Sequence, residues 1–137
     1  MLVWSEYLKE LGYKKSDFPF RKKDERYNLD KKLGVVEAQT WNLNTTIILE
    51  LYVQLRYFQD GCTKGIPMCY VDDTKPDKGM SVWQDILQEI IDGLKAYIIA
   101  DNMCPCSDEE RAEQDKLYKQ FDKAWALLGE NLPCLWW

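Results

Sequence analysis

The stretch from Trp83 to Ile98 constrains this chain most, because Trp83, Ile86, Leu87, Ile90, Ile91, Leu94, Tyr97 and Ile98 recur at intervals of three and four residues. That is the period of an α-helix, and the apolar stripe is too wide for a helix lying on a surface. A segment of this kind is stable only when other elements cover it, and the sequence supplies two more helices. In the first, Ile47, Leu51, Leu55 and Phe58 form a stripe that Ile48 and Tyr52 widen, with Asn42 or Asn44 placed to cap its start and Gly61 to end it. In the other, Leu117, Phe121, Ala124, Trp125 and Leu128 are read as facing the core, and Gly129 closes the segment.

Capping chemistry sharpens the boundaries. Ser81 with Gln84, and Ser107 with Glu110, each make the Ser-x-x-Glu/Gln pattern of a capping box. Asp108 and Glu109 add negative charge where a helix N-terminus favours it. At the start of the chain, Trp4, Tyr7, Leu8 and Leu11 share helical spacing and stop at Gly12, which reads as a short helix with a glycine cap. Residues 13–34 carry Pro19 and many charges and read as a loop or extended arm anchored by Phe18 and Phe20. Gly61, Gly65, Pro67, Pro76 and Gly79 make residues 60–80 turn chemistry throughout, a long loop of the kind that often carries function.

No stretch alternates apolar and polar residues for long enough to demand a sheet. The expected fold is therefore mainly α, a compact bundle of three amphipathic helices over about 44–59, 82–101 and 108–128, with a short N-terminal helix and an irregular arm. At 137 residues the expectation is one domain over 1–137, with 1–34 as a flexible basic arm. That segment holds nine basic residues against six acidic ones, whereas the remainder holds nine against seventeen. Such a field is weak for a nucleic-acid binder, and an acidic body serves solubility as readily as it steers basic partners. No run of about 18 apolar residues is present, and the first residues lack the basic and apolar regions of a signal peptide. The expected location is the cytoplasm, where the five cysteines would be reduced.

The chemistry of common enzymes is sparse. The sequence has no histidine, which excludes a Ser-His-Asp triad, a Cys-His dyad and every His-ligated metal site. It has no Gly-x-Gly-x-x-Gly or P-loop pattern either. Cys62, Cys69, Cys104 and Cys106 could in principle hold zinc, but their C-x6-C and C-x-C spacings do not match the usual zinc knuckles. The acids Asp72 and Asp73, and the run Asp108-Glu109-Glu110, read as a solvated loop and a helix start. No cofactor is expected. The chain closes on Leu135-Trp136-Trp137, a tail that either tucks onto the bundle or meets a partner or second copy.

Several segments also share an order. Thr40-Trp41-Asn42-Leu43-Asn44 leads into a helix ending Leu55-Arg56-Tyr57-Phe58, followed by Gly65-Ile66-Pro67. Trp83-Gln84-Asp85-Ile86-Leu87 comes next, with Ile90, Ile91 and Gly93, and then Leu127-Leu128-Gly129 and the terminal Trp-Trp. Over residues 34–137 this resembles a family of small uncharacterised tailed-bacteriophage accessory proteins. Its pattern has a Trp-x-Leu-Asp helix start, a Gly-Tyr-Pro loop, a Trp-x-x-Ile-Leu-x-x-Met-Ile helix and a C-terminal Trp-Trp. Here Asn44 stands in place of the Asp, Ile66 in place of the loop Tyr and Ile90 in place of the Met.

The resemblance implies an accessory protein in the cytoplasm of a bacterial host, one that modulates host enzymes or blunts host defence. The leading expectation is an inhibitor that binds a host or anti-phage defence protein, with Tyr57, Lys64, Tyr70, Trp136 and Trp137 as candidate contacts. An alternative is an oligomeric sponge for a small nucleotide-like signal, in which Arg56 and Lys64 meet phosphate and Trp41 or Trp83 stacks on a base. A second alternative is a virion-associated structural protein assembled through its Trp-Trp tail. An enzyme ranks last, because each testable class lacks its residues.

Overall fold

The computed structural model describes residues 4–17, 29–30, 35–36, 40, 42–61, 66–71 and 74–135. It is mainly helical, with three principal helices: α1 (Leu43–Gly61), α2 (Pro76–Asp101) and α3 (Asp108–Asn131). Around them lie 3-10 turns at Glu6–Leu11, Lys15–Asp17, Met68–Tyr70 and Leu132–Cys134. Two-residue strands β1 (Leu29–Asp30) and β2 (Val35–Val36) pair antiparallel, Leu29 opposite Val36, so one small ladder joins the end of the arm to the residues just beyond it.

α2 is the spine. Its most extensive packing is with α3, and α1 lies on it as well. Trp83, Leu87, Ile90, Ile91, Leu94 and Ile98 are buried, as the wide stripe requires. At roughly 1.5 to 3 kcal/mol for each fully buried large side chain, this stripe is a leading favourable contribution to folding. The main cluster joins Ile90, Ile91, Leu94 and Ile98 to Ile48, Leu49, Tyr52 and Leu55 of α1, Leu128 of α3 and Leu8 of the first 3-10 turn. A smaller cluster of Trp83 and Leu87 is covered by Phe58, Ile66, Tyr70, Cys134 and Leu135.

The N-terminal segment is not wholly an arm. Leu8 is fully buried in the main cluster, and Gly12, at φ 83°, caps its turn as the sequence indicates. Phe18 and Phe20 lie outside the described residues.

Besides Gly129, which lies inside α3 and does not close it, the structure corrects four details. α2 starts at Pro76, not near Ser81, so Ser81 and Gln84 lie inside the helix and cap nothing. Proline has no N–H to lose at a first helical position and its φ already suits one, so Pro76 begins the helix that its sequence context suggested it would exclude. Gly79 belongs to that added turn: a Cβ there would lie 2.0 Å from the Tyr70 carbonyl oxygen. From Pro76 onward the 60–80 segment is therefore helix and not loop.

The second correction is rotational. On α1 the buried residues are Ile48, Leu49, Tyr52 and Leu55, while Ile47 is 43% exposed. Third, the Asn44 side chain does not cap; its Nδ2 donates to Tyr97 Oη at 2.7 Å, while the Asn42 carbonyl accepts the Thr46 amide at 3.0 Å. Fourth, Trp125 is 45% exposed and outside the core. The Ser107 box forms as read, its Oγ accepting the Glu110 amide at 3.1 Å and Glu110 Oε2 accepting the Ser107 amide at 3.2 Å.

Candidate functional site

α2 and α3 meet closely because small residues face each other. A Cβ added to Gly93 would sit 2.0 Å from Ala124 Cβ, so only glycine permits this approach. One side of that seam carries an aromatic ladder. Tyr97 of α2 packs on Phe121 (ring centroids 4.7 Å apart) and on Tyr118 (5.8 Å), and Phe121 continues to Trp125 at 5.5 Å. Phe121 and Trp125 are four residues apart and so fall on one side of α3. The inner rings are half-buried, and burial together with nearby Asp101 raises the Tyr118 phenol above its ordinary value. The outer ring, Trp125, is open.

α1 borders the inner end of this ladder. Besides the Asn44–Tyr97 bond, Thr45 Oγ1 donates to Asp101 Oδ2 at 2.8 Å. The Asn44 bond orients Tyr97, whose ring packs on Phe121, while the Thr45 bond ties the start of α1 to the end of α2. An aspartate at position 44 could accept from the Tyr97 hydroxyl instead, so the Asn/Asp difference leaves this contact chemically possible.

A second feature joins the first turn to α1. Tyr52 Oη donates to Glu10 Oε2 at 3.1 Å, Arg56 Nη2 to Glu10 Oε1 at 3.1 Å, and Tyr7 Oη to Asp60 Oδ2 at 2.5 Å. The Arg56 guanidinium also lies 5.3 Å from the Tyr7 ring centre. Burial, then the Glu10 carboxylate, push the Tyr52 phenol up to about 12. The hydrogen bond to Asp60, followed by burial, raises that of Tyr7. Beside this network Trp4, Glu6, Lys9, Tyr13, Lys14 and Lys15 line a surface cavity of about 410 Å³.

The residues singled out from sequence do not converge. Tyr57 is 65% exposed and available for contact. Arg56 is held by Glu10 and Tyr7, which makes it a poor phosphate ligand. Tyr70 is structural: it stacks on Trp83 at 5.5 Å, and its hydroxyl donates to buried Asn131 Oδ1 at 2.5 Å. Trp83 is fully buried and cannot stack on a base. Trp41, Lys64, Trp136, Trp137 and Cys62 lie outside the described residues.

Three of the four candidate zinc ligands, Cys69, Cys104 and Cys106, do not gather in one place. Cys104 and Cys106 occupy the α2–α3 connection, whereas Cys69 sits by the other end of α2, a helix of 26 residues and so about 39 Å long. Among the described residues no three His, Cys, Asp or Glu side chains gather as a metal site would require. Cys69 instead faces Cys134, with their Sγ atoms 3.8 Å apart. The reading from sequence passed over this pair, because positions 69 and 134 meet only through the fold. Trp125 was passed over for a different reason: next to Ala124 it was counted into the core stripe, although it lies 100° further round the helix.

Compared with known protein families, with curated proteins and with solved structures, the chain matches none. Among the described residues no helix is long and apolar enough to cross a membrane.

Proposed function

We propose that this chain is a tailed-bacteriophage accessory protein that acts by binding, and that its target is a host or anti-phage defence protein. The phage setting rests on the ordered sequence motifs. The binding reading rests on one observation, the aromatic ladder that ends at exposed Trp125. Half-exposed indoles backed by packed rings suit an interface anchor, since a large apolar area is presented with little freedom left to lose. α3 is 24 residues and so about 36 Å long, enough to run across one side of a standard interface. Tyr57 offers a second contact on α1.

The test uses tagged protein to capture partners from host cells, with Trp125→Ala and Tyr57→Ala in parallel. The reading predicts one stoichiometric protein partner, at least 10-fold weaker binding for Trp125→Ala, and a nearly unchanged melting temperature. Recovery of no stoichiometric partner, or capture indifferent to Trp125, would overturn it.

The cavity beside the first turn favours a second reading, the nucleotide-like sponge, on residues other than those first considered. Trp4 and Tyr13 supply rings, and Lys14 and Lys15 supply positive charge, while Lys9 is ion-paired with Glu6. Native mass spectrometry tests this directly. An oligomer carrying a nucleotide-sized adduct supports it, and a bare chain counts against it.

A further inference from the structure

The N-terminal end of α2 is closed by two segments far apart in sequence. Met68–Tyr70 lays Tyr70 on Trp83, and Leu132–Cys134 brings Leu135 onto the same small cluster. Where these turns meet, Cys69 and Cys134 face each other at 3.8 Å, across 65 residues of chain. Both are free thiols, Cys69 exposed and Cys134 half-buried. We propose that Cys69 and Cys134 are a redox pair, which a peroxide closes into a reversible intramolecular disulfide that clamps the C-terminal segment to the Met68–Tyr70 turn.

The geometry favours closure. A disulfide needs the sulfurs about 2.05 Å apart, so the pair must approach by somewhat under 2 Å. Cys69 is exposed, and Cys134 lies half-buried at the edge of the small cluster that covers Trp83 and Leu87, so the approach is made at the surface of that cluster. Of the other described thiols, Cys106 Sγ donates to the Cys104 carbonyl oxygen at 3.4 Å.

Accessibility sets the order of events. Cys69 is exposed and meets the oxidant first, whereas burial and the neighbouring Cys69 hold the Cys134 thiol above its ordinary value. The Cys69 sulfur attacks one peroxide oxygen and the O–O bond breaks. Cys69 becomes a sulfenic acid and the other oxygen leaves as water. The Cys134 sulfur then attacks the Cys69 sulfur, the S–O bond breaks and a second water departs. Two thiols have then lost two electrons and two protons, and one peroxide has become two waters. A dithiol reverses the step by exchange.

The bridge would leave the α3 aromatic side untouched, so this proposal stands or falls independently of the binding reading. It would tie together the two covers of Trp83 and Leu87, and restrain the chain immediately before Trp136 and Trp137. Cross-linking positions this distant in sequence restricts the unfolded chain, which raises resistance to urea.

The experiment treats reduced full-length protein with hydrogen peroxide under native conditions, then maps peptides without reduction. The expected product is one Cys69–Cys134 cross-link per chain, roughly 2 mass units lighter for the two hydrogens lost and reversed by dithiothreitol. The urea midpoint should rise on oxidation. Cys69→Ser and Cys134→Ser should each abolish both effects, while Cys62→Ser, Cys104→Ser and Cys106→Ser leave them. Matching melting curves of all variants under reducing conditions would show that the serine changes act on the bridge and not on folding. Separate sulfinic acids at Cys69 and Cys134, a bridge from either to another cysteine, or a cross-link between two chains would overturn the proposal.

Discussion

α2 and α3 are nearly equal in length and pack against each other, yet they spend their apolar residues differently. α2 is covered by α1 on one side and α3 on another, and its large residues Trp83, Leu87, Ile90, Leu94 and Ile98 all disappear into the core. α3 touches the bundle on one side and buries only Ala124, Leu128 and Asn131, leaving Trp125 in the open. A helix with two neighbours uses most of its apolar residues for packing, and α2 leaves Val82 and Ile99 partly uncovered, 38% and 44% exposed. On α3 the residue left over is an indole, whose larger apolar area suits contact with a partner.

Substitutions can break or sharpen that contrast. The largest loss is expected from α2: Leu94→Ala removes a fully buried side chain and should cost about 3 kcal/mol, read from urea unfolding. Gly93→Ala should follow at about 2 kcal/mol, because its new methyl meets Ala124, and pairing it with Ala124→Gly should recover part of the loss. If Gly93→Ala is neutral, the close α2–α3 seam is wrong.

The network that joins the first turn to α1 gives a pH signature. Tyr52 titrates near 10 when unfolded and at about 12 when folded, so the folded state holds this proton more tightly. Its contribution is complete below pH 10 and is lost as pH rises from 10 to 12, on the order of 1 kcal/mol after allowing for the exposed side of Glu10. Tyr52→Phe should flatten the alkaline unfolding curve over that range. At the start of α3, Ser107→Ala removes one acceptor of the capping box and should cost roughly 0.5 to 1 kcal/mol in thermal unfolding. Trp125→Ala should cost least, about 0.5 kcal/mol, while having the largest effect on partner capture. A loss of several kcal/mol there would return Trp125 to the core and remove the argument for an interface.

The same contrast shows what was legible in advance. α2 was readable because a stripe this wide has one interpretation, and Ser107 with Glu110 marked the start of α3 because a capping box is local chemistry. The start of α2 was misread because Pro76 and Gly79 suit a turn as well as a first helical turn. Tertiary contact with Tyr70 chose between them. Ile47 and Trp125 were misplaced because each sits one residue from a buried position, and a periodic stripe defines its edges to no better than that. Arg56 was read as a phosphate ligand because its fold partners, Glu10 and Tyr7, are far away in sequence.

The sequence by itself determined the three helices, the short N-terminal turn with its glycine cap, and the absence of histidine chemistry, because each depends on neighbours within a few residues or on composition alone. Only the tertiary structure decided which apolar residues were left over, and that Cys69 would meet Cys134 and Asn44 would meet Tyr97. Those outcomes depend on how each helix is rotated against its neighbours. That rotation is set by the packing of all the side chains at once, and no local window of sequence contains it.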